Sequence, residues 1–198
     1  MPSAVYLARH GQTAYNLERR FQGQMDVPLD DTGRAQAADL AERAGEHGFV
    51  ALWSSPLLRT RETAEIVGAR IGLPIAYDRR LMETDAGDWT DRTFAEIEAE
   101  DPELFAGFAS ADPSFAFPGG ESFVDQGERI AAALAEIERG DVPALVVCHG
   151  VVIRLAVSQR AGRRVPHAER VPNAALVPLD PRAAEHADFG GGAATPAT

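Results

Sequence analysis

Residues 5–11, with the sequence VYLARHG, form an apolar, β-prone run that ends in a histidine and a glycine. Residues 145–150, LVVCHG, repeat that order, and a potentially helical segment follows each run. In an open α/β sheet, ligands bind at the carboxyl ends of strands, and the N-terminus of a helix favours an anion. If the two runs are neighbouring strands, His10 and His149 meet at one phosphate-sized site.

The rest of the chain alternates short apolar runs with longer helical patterns, which is typical of an α/β domain. Its 198 residues suit one domain with a sizeable core. Residues 101–120, rich in Phe, Pro and Gly, are expected to leave the sheet, and residues 181–198 to form a flexible C-terminal tail. We predict strands at 5–8, 51–53, 75–77, 144–148 and 174–177, and helices at 33–46, 60–71, 94–100, 103–108, 123–138 and 151–161.

Composition excludes several classes of function. The net charge of −11 argues against nucleic acid or an anionic membrane as a partner. All 19 basic residues are arginine, so Schiff-base and P-loop lysine mechanisms are excluded. The single cysteine, Cys148, rules out an intrachain disulfide framework, and no secretory signal is visible at the N-terminus, so we expect a cytoplasmic protein.

Two stretches carry candidate phosphate ligands. In Arg9-His10-Gly11, a histidine that could act as nucleophile stands beside a guanidinium that stays charged and grips phosphate with two hydrogen bonds. Arg59 lies in SSPLLRTRETA, residues 54–64, between a predicted strand and its helix. Because an arginine opposes the dipole at a helix start, a functional reason for Arg59 is favoured.

A third stretch, LMETDAGDW at 81–89, offers a general acid. A carboxyl group among Leu, Met and Trp side chains can lose solvent and stay protonated near neutral pH. The residues alone do not choose between Glu83, Asp85 and Asp88, and a solvated acidic loop is an equally good interpretation.

Cys148 and Arg154 have the Cys-x5-Arg spacing of the cysteine-based tyrosine phosphatases. Between them, however, lies the stiff β-branched run at 151–153, whereas a loop that wraps phosphate needs small, permissive residues. We therefore expect Cys148 to be a small core residue.

Taken together, these segments resemble the histidine phosphatase superfamily, in its phosphoglycerate-mutase-like branch. The matching pieces run in family order up to about residue 179. They are RHGQTAYN at 9–16, FQGQMDVPLDDTGRAQA at 21–37, SSPLLRTRETA at 54–64, LMETDAGDW at 81–89, PGGES at 118–122, VCHGVVIR at 147–154 and PNAALVPL at 172–179.

The resemblance implies a three-layer α/β/α sandwich over residues 1–180, with a mostly parallel central sheet and a small helical cap at about 91–120. It assigns His10 as the nucleophile that becomes phosphohistidine and Glu83 as the acid that protonates the leaving group. It also implies that no metal or cofactor is needed. The residues that it assigns to phosphate and substrate are Arg9, Thr13, Asn16, Gln22, Gly23, Arg59, His149 and Gly150.

The chain departs from the family at two positions. Asp91 stands where the family usually has a glycine, so the loop after Trp89 is expected to take a different path. Phe94 stands where the mutases keep a lysine that holds the substrate, and no arginine pair follows before Phe117. A phosphatase of small-molecule phosphomonoesters is therefore favoured over a 2,3-bisphosphoglycerate-dependent phosphoglycerate mutase. A catalytically silent phosphate-binding or regulatory module is a third hypothesis, and a homodimer is the assembly to test.

The phenylalanines around the cap predict what the site selects. They leave the pocket entrance short of cations, although Arg19 and Arg20 could supply one from the other side. We therefore predict a preference for monophosphates with an apolar or uncharged body. The rings in question are Phe94, Phe105, Phe108, Phe115 and Phe117.

Overall fold

The computed structural model describes residues 4–162 and 171–180. Five strands form one sheet in the order β3-β2-β4-β1-β5, in which β1 to β4 are parallel and β5 runs antiparallel to β1. The fold is therefore a mixed α/β domain around a mostly parallel sheet, as predicted. The strands are β1 (Val5–Arg9), β2 (Ala51–Ser54), β3 (Ile75–Tyr77), β4 (Ala144–Cys148) and β5 (Leu176–Pro178).

Helices cover both faces of the sheet. Successive residues of β4 point to opposite faces: Val146 packs with α6 and α7, whereas Leu145 packs with α2 and α3. These two cores make the three-layer α/β/α arrangement. The helices are α1 (Ala14–Leu17), α2 (Asp31–Gly45), α3 (Leu58–Ile71), α4 (Phe94–Glu100), α5 (Pro102–Ala109), α6 (Phe123–Ile137) and α7 (Gly150–Ala161).

A small cap rises from the sheet between β3 and α6. Its helices α4 and α5 meet Phe21 and Trp89 in a third hydrophobic cluster, in which aromatic rings contact one another edge to face or tilted. Ring centroids of Phe21 and Phe94, for example, lie 4.3 Å apart. This aromatic cluster gives the cap a core of its own.

Two local differences from the predicted elements have physical causes. The one-turn helix α1 was not predicted, because four residues are too few for a periodic pattern; a capping box between Thr13 and Asn16 holds it. Strand β5 begins at Leu176 rather than at 174, because Ala174 has a φ of 57° and turns the chain before the ladder starts. The predicted tail at 181–198 lies outside the described residues.

In the loop after Trp89, Asp91 adopts the left-handed backbone conformation that glycine usually occupies. Asp91 has a φ of 65°, which aspartate tolerates better than most residues. The Tyr15 hydroxyl donates to Oδ1 of Asp91 at 2.8 Å, and the Arg20 guanidinium donates to its carbonyl oxygen. These contacts accommodate the departure noted in the sequence. Within the described part of the chain, no helix is long and apolar enough to cross a membrane.

Candidate active site

The two histidines meet because their strands are adjacent. Arg9 of β1 pairs in register with Cys148 of β4, so each strand ends at the same level and delivers its next residue to the same edge. The ring centroids of His10 and His149 lie 5.4 Å apart. This juxtaposition was predicted from the repeated apolar-His-Gly pattern.

His10 is held as a neutral imidazole in one tautomer. Its ring Nδ1 lies 2.7 Å from the carbonyl oxygen of Gly11. Because a carbonyl oxygen only accepts, the proton stays on Nδ1, and Nε2 keeps its lone pair. Burial, and then the charges of Arg59 and Arg9, lower the pKa of His10 well below 6.5, so the ring is uncharged at neutral pH.

His149 is the N-cap residue of α7 and is fully buried. Its Nε2 lies 2.8 Å from the Ser55 hydroxyl, which can donate to it and leave the proton on Nδ1. Burial first, and then the charge of Arg59, lower the pKa of His149 well below 6.5. Among the described residues its Nδ1 has no hydrogen-bond partner, which suits a donor to an incoming oxyanion.

Arg59 lies in the first turn of α3 and is 1% exposed. Its two terminal nitrogens donate to the carbonyl oxygens of Met25 and Gly23, each at 2.8 Å, and thereby fix the turn that contains Gly23. Burial lowers the pKa of Arg59 to about 10, so the guanidinium stays charged at neutral pH. Within the described chain its Nε has no partner.

Arg9 and Gly150 lie side by side at the other wall of the site. Nη1 of Arg9 donates to the carbonyl oxygen of Val171 at 2.6 Å, which orients the guanidinium. A Cβ on Gly150 would lie 3.5 Å from Nε of Arg9, so the guanidinium passes close to the start of α7. The phosphate-sized space is thus bordered by two arginines and one helix N-terminus.

Gly11 is required by close packing. A Cβ at this position would lie 2.2 Å from the carbonyl oxygen of Gly33 in the first turn of α2. The turn after His10 therefore packs directly on backbone, and no larger residue fits.

Amide and hydroxyl side chains form hydrogen bonds around the turn that follows His10. Asn173 donates through Nδ2 to the carbonyl oxygen of His10 at 3.1 Å and to Oδ1 of Asn16 at 3.0 Å. The buried Thr13 hydroxyl lies 3.1 Å from Oε1 of Gln22. Asn16, Gln22 and Gly23 line the pocket, whereas Thr13 supports them from behind, so its predicted contact with substrate stays a prediction.

The structure separates the three candidate acids. Glu83 lines the pocket; its Oε1 accepts from the Thr84 backbone at 3.0 Å and its Oε2 from the Val151 backbone at 3.4 Å. Asp85 and Asp88 are exposed and do not line it. Glu83 is therefore the carboxyl group placed to exchange a proton with a bound ligand.

The pocket has a volume of about 170 Å³, and all the predicted site residues line it except Thr13 and His149, which are fully buried. Phe94, Phe108 and Phe117 form part of its wall, while Phe105 and Phe115 pack inside the aromatic cluster. Two of the three arginines that line the wall outside the phosphate site were expected there from the sequence, and the third was not. The three are Arg19, Arg20 and Arg154.

Four polar lining residues were missed as site residues: Tyr15, Thr84, Arg154 and Asn173. Arg154 belongs to the Cys-x5-Arg spacing, which here connects the last residue of β4 to the second turn of α7 and does not form a phosphate loop. Its guanidinium lies 5.5 Å from the Phe108 ring centroid, and burial lowers its pKa to about 10. Asn173 lies within PNAALVPL at 172–179, one of the segments that resemble the family, and that resemblance could have identified it.

Cys148 is a core residue, as expected. Its thiol is fully buried with β1, α6 and α7, and it does not line the pocket. Burial raises the pKa of Cys148 far above its usual range, so the thiolate that a nucleophile needs is disfavoured. In the described part of the chain, no group of three or more His, Cys, Asp or Glu side chains is arranged to hold a metal ion.

Known proteins resemble this chain in sequence and in fold. The probable phosphoglycerate mutase GpmB of Salmonella paratyphi B is 39% identical over 161 residues, which cover 80% of this chain and 74% of that protein. The structure of a mycobacterial glucosyl-3-phosphoglycerate phosphatase with VO3 has a TM-score of 0.79 and 34% identity, covering 88% of this chain and 90% of its own. Bacillus stearothermophilus YhfR has a TM-score of 0.77 and 35% identity, covering 87% and 88%.

The family model of the histidine phosphatase superfamily (branch 1) matches residues 5–186, which include every element of the sheet and both histidine turns. This protein belongs to the histidine phosphatase superfamily.

Proposed function

We propose that this protein is a metal-independent phosphatase that hydrolyses small-molecule phosphomonoesters through a phosphohistidine on His10. The observation that carries the proposal is the neutral His10 ring, whose proton is held on Nδ1 by Gly11 beside two arginine cations. An uncharged imidazole is a nucleophile at neutral pH, and Arg9 and Arg59 supply the positive charge that a phosphoryl dianion needs.

In the first step, Nε2 of His10 attacks phosphorus and the bond from phosphorus to the ester oxygen breaks. Arg9, Arg59 and Nδ1 of His149 hold the equatorial oxygens, where charge is spread in the transition state. Glu83, as the protonated acid, gives its proton to the departing alkoxide. The products of this step are an alcohol and a phosphohistidine.

In the second step, the Glu83 carboxylate takes a proton from water, and the water oxygen attacks phosphorus. The bond between phosphorus and Nε2 breaks, which frees inorganic phosphate and restores neutral His10 and protonated Glu83. The same carboxyl group thus serves as acid and then as base, so each turnover balances without a metal.

The mutase hypothesis differs only in what accepts the phosphoryl group. A relative carries the name of a probable phosphoglycerate mutase, while a structural neighbour is a glucosyl-3-phosphoglycerate phosphatase. Phe94 packs on Phe21 and gives the pocket an aromatic wall at the position where the mutases hold substrate with lysine. We therefore favour water as the acceptor.

The test follows phosphate release and mutase activity in parallel. The purified protein should release inorganic phosphate from a chromogenic phosphomonoester and from members of a metabolite panel that includes phosphoglycerates. Interconversion of the monophosphoglycerates, with 2,3-bisphosphoglycerate present, should be negligible. Efficient interconversion would establish the mutase, and no turnover of any phosphomonoester would favour the silent binding module.

A further inference from the structure

Glu83 is held in a segment without regular secondary structure of its own. It lies in coil between two short 3-10 turns, Arg79–Leu81 and Gly87–Trp89. No strand ladder or α-helix therefore fixes its backbone. Since a general acid must meet the leaving oxygen at hydrogen-bond distance, something else in the fold must hold this segment.

Arg129, on α6, binds the backbone on one side of that carboxyl group. Its Nη1 donates to the carbonyl oxygens of Arg80 and Met82 at 2.7 and 2.8 Å. Its Nη2 donates to the carbonyl oxygen of Glu83 at 3.2 Å. Three backbone carbonyls of the acid-bearing segment thus converge on one guanidinium.

Glu121 binds both the Arg129 guanidinium and the backbone that follows Thr84. Its carboxylate accepts from Nε and Nη2 of Arg129 at 2.6 and 2.7 Å, a two-point ion pair in which both side chains are at most 20% exposed. The same carboxylate accepts from the Asp85 backbone N–H at 3.3 Å. The ion pair therefore forms hydrogen bonds with the backbone both before and after Thr84.

A second residue of α6 acts on the same segment. Gln126 lies one turn before Arg129, on the same helix face, and accepts a hydrogen bond from the Thr84 hydroxyl. The Thr84 N–H in turn donates to Oε1 of Glu83. Helix α6 thus holds both the backbone of the acid and the residue that orients its carboxyl group.

We propose that Arg129, paired with Glu121, is a positioning residue that sets the place of the Glu83 carboxyl group for proton transfer. The inference rests on the proposed function, since it needs Glu83 to be the general acid. Arg129 does not line the pocket and so acts through Glu83 rather than on substrate. A displacement of about 1 Å in a catalytic group lowers a rate by up to about 100-fold.

The test uses two substrates that differ in their need for an acid. An alkyl phosphate has a poor leaving group that must be protonated, whereas the 4-nitrophenolate of an aryl phosphate leaves without a proton. We expect Arg129→Gln to lower the single-turnover rate of phosphorylation by glycerol phosphate by about 10- to 100-fold, and that by 4-nitrophenyl phosphate by less than about 3-fold. Arg129→Lys, which keeps the charge without the planar fork, should fall between wild type and Arg129→Gln.

Arg80→Gln is the matched control, because among the described residues the Arg80 side chain pairs with Asp78 and Glu136, near the surface of the same segment. It should leave both rates unchanged. Glu121→Gln, which keeps the shape but weakens the ion pair, provides the same comparison if Arg129→Gln does not fold. In the Glu83→Gln background, the Arg129 substitution should cause no further loss.

Two results would overturn the proposal: equal losses for both substrates in Arg129→Gln and Glu121→Gln, or no loss in either variant. A Glu83→Gln enzyme without leaving-group dependence would instead remove the proposed role of Glu83 itself. The two failures are therefore distinguishable in one set of assays.

Discussion

Nε2 of His149 lies 2.8 Å from Oγ of Ser55, so a residue at the end of β4 is oriented by the residue that follows β2. The two strands are parallel neighbours, and their carboxyl ends reach the same edge of the sheet. The bond leaves the proton of His149 on Nδ1, which has no hydrogen-bond partner among the described residues and lies next to the ring of His10. The active site thus depends on sheet order as much as on the residues themselves.

This relationship predicts the effect of removing the serine hydroxyl. Ser55→Ala should lower kcat/KM for phosphomonoesters by about 5-fold, because His149 loses the bond that fixes its tautomer and one buried hydrogen bond contributes about 1 kcal/mol. Steady-state kinetics on a chromogenic phosphomonoester measure the effect. Ser54→Ala is the control, since the Ser54 hydroxyl bonds only to backbone carbonyls of Ser55 and Thr60 among the described residues. Equal losses in both variants would contradict the role given to Ser55.

Glu83→Gln should cost about 10²- to 10⁴-fold on phosphate esters with alkoxide leaving groups, because the amide keeps the size of the side chain but delivers no proton. Aryl phosphates should lose less in the phosphorylation step. Single-turnover kinetics with the two substrate classes separate that step from dephosphorylation. Equal losses in phosphorylation for both classes would refute Glu83 as the acid.

Activity should survive chelation of divalent metal ions. The proposed chemistry neutralises the phosphoryl charge with Arg9 and Arg59, so incubation with EDTA is expected to leave kcat unchanged. Complete loss on chelation, followed by recovery when a divalent ion is added back, would overturn the account of charge neutralisation by arginine.

The two buried histidines should make the protein less stable in acid. The pKa of each is lowered by folding, so the unfolded chain binds more protons than the folded chain below pH of about 6.5. Their contribution is therefore fully present above that pH and is lost as pH falls below it, by at most about 1.4 kcal/mol per pH unit for each histidine.

Urea unfolding at pH 7, 6 and 5 measures this loss. His10→Gln and His149→Gln should each show a smaller drop in the free energy of unfolding than wild type between pH 6 and pH 5, because glutamine does not titrate. A drop equal to that of wild type in both variants would show that these rings are not the groups responsible.

Much of the sheet was predictable, because buried parallel strands are nearly continuous apolar runs, as in β4. The meeting of His10 and His149 followed from the repeated apolar-His-Gly pattern and one assumption about neighbouring strands. The choice of Glu83 over Asp85 and Asp88 did not follow from the residues, since all three lie in one loop and only its path decides which carboxyl group faces the pocket. That choice came from the resemblance, and of the three Glu83 alone lines the pocket.

Arg154 and Asn173 were missed for a different reason. Arg154 reaches the pocket from the first turns of α7, where its spacing pointed to a phosphate loop, whereas Asn173 reaches it from a turn before β5 in a segment that resembles the family but was given no role. Contacts between residues this far apart in the chain depend on tertiary packing, which local patterns do not encode. The same limit applies to Arg129, whose partners lie more than 40 positions earlier in the chain, at Arg80, Met82 and Glu83.

The central claim is that His10 carries the phosphoryl group during turnover. The most direct test is to mix the Glu83→Gln enzyme, which should release phosphate slowly, with a phosphomonoester, quench it under alkaline conditions and locate the adduct by peptide mass spectrometry. The account predicts one phosphoryl group on the peptide that contains His10, lost on acid treatment, absent in His10→Ala and retained in Cys148→Ser. A phosphoryl group on Cys148, or full activity in His10→Ala, would contradict it.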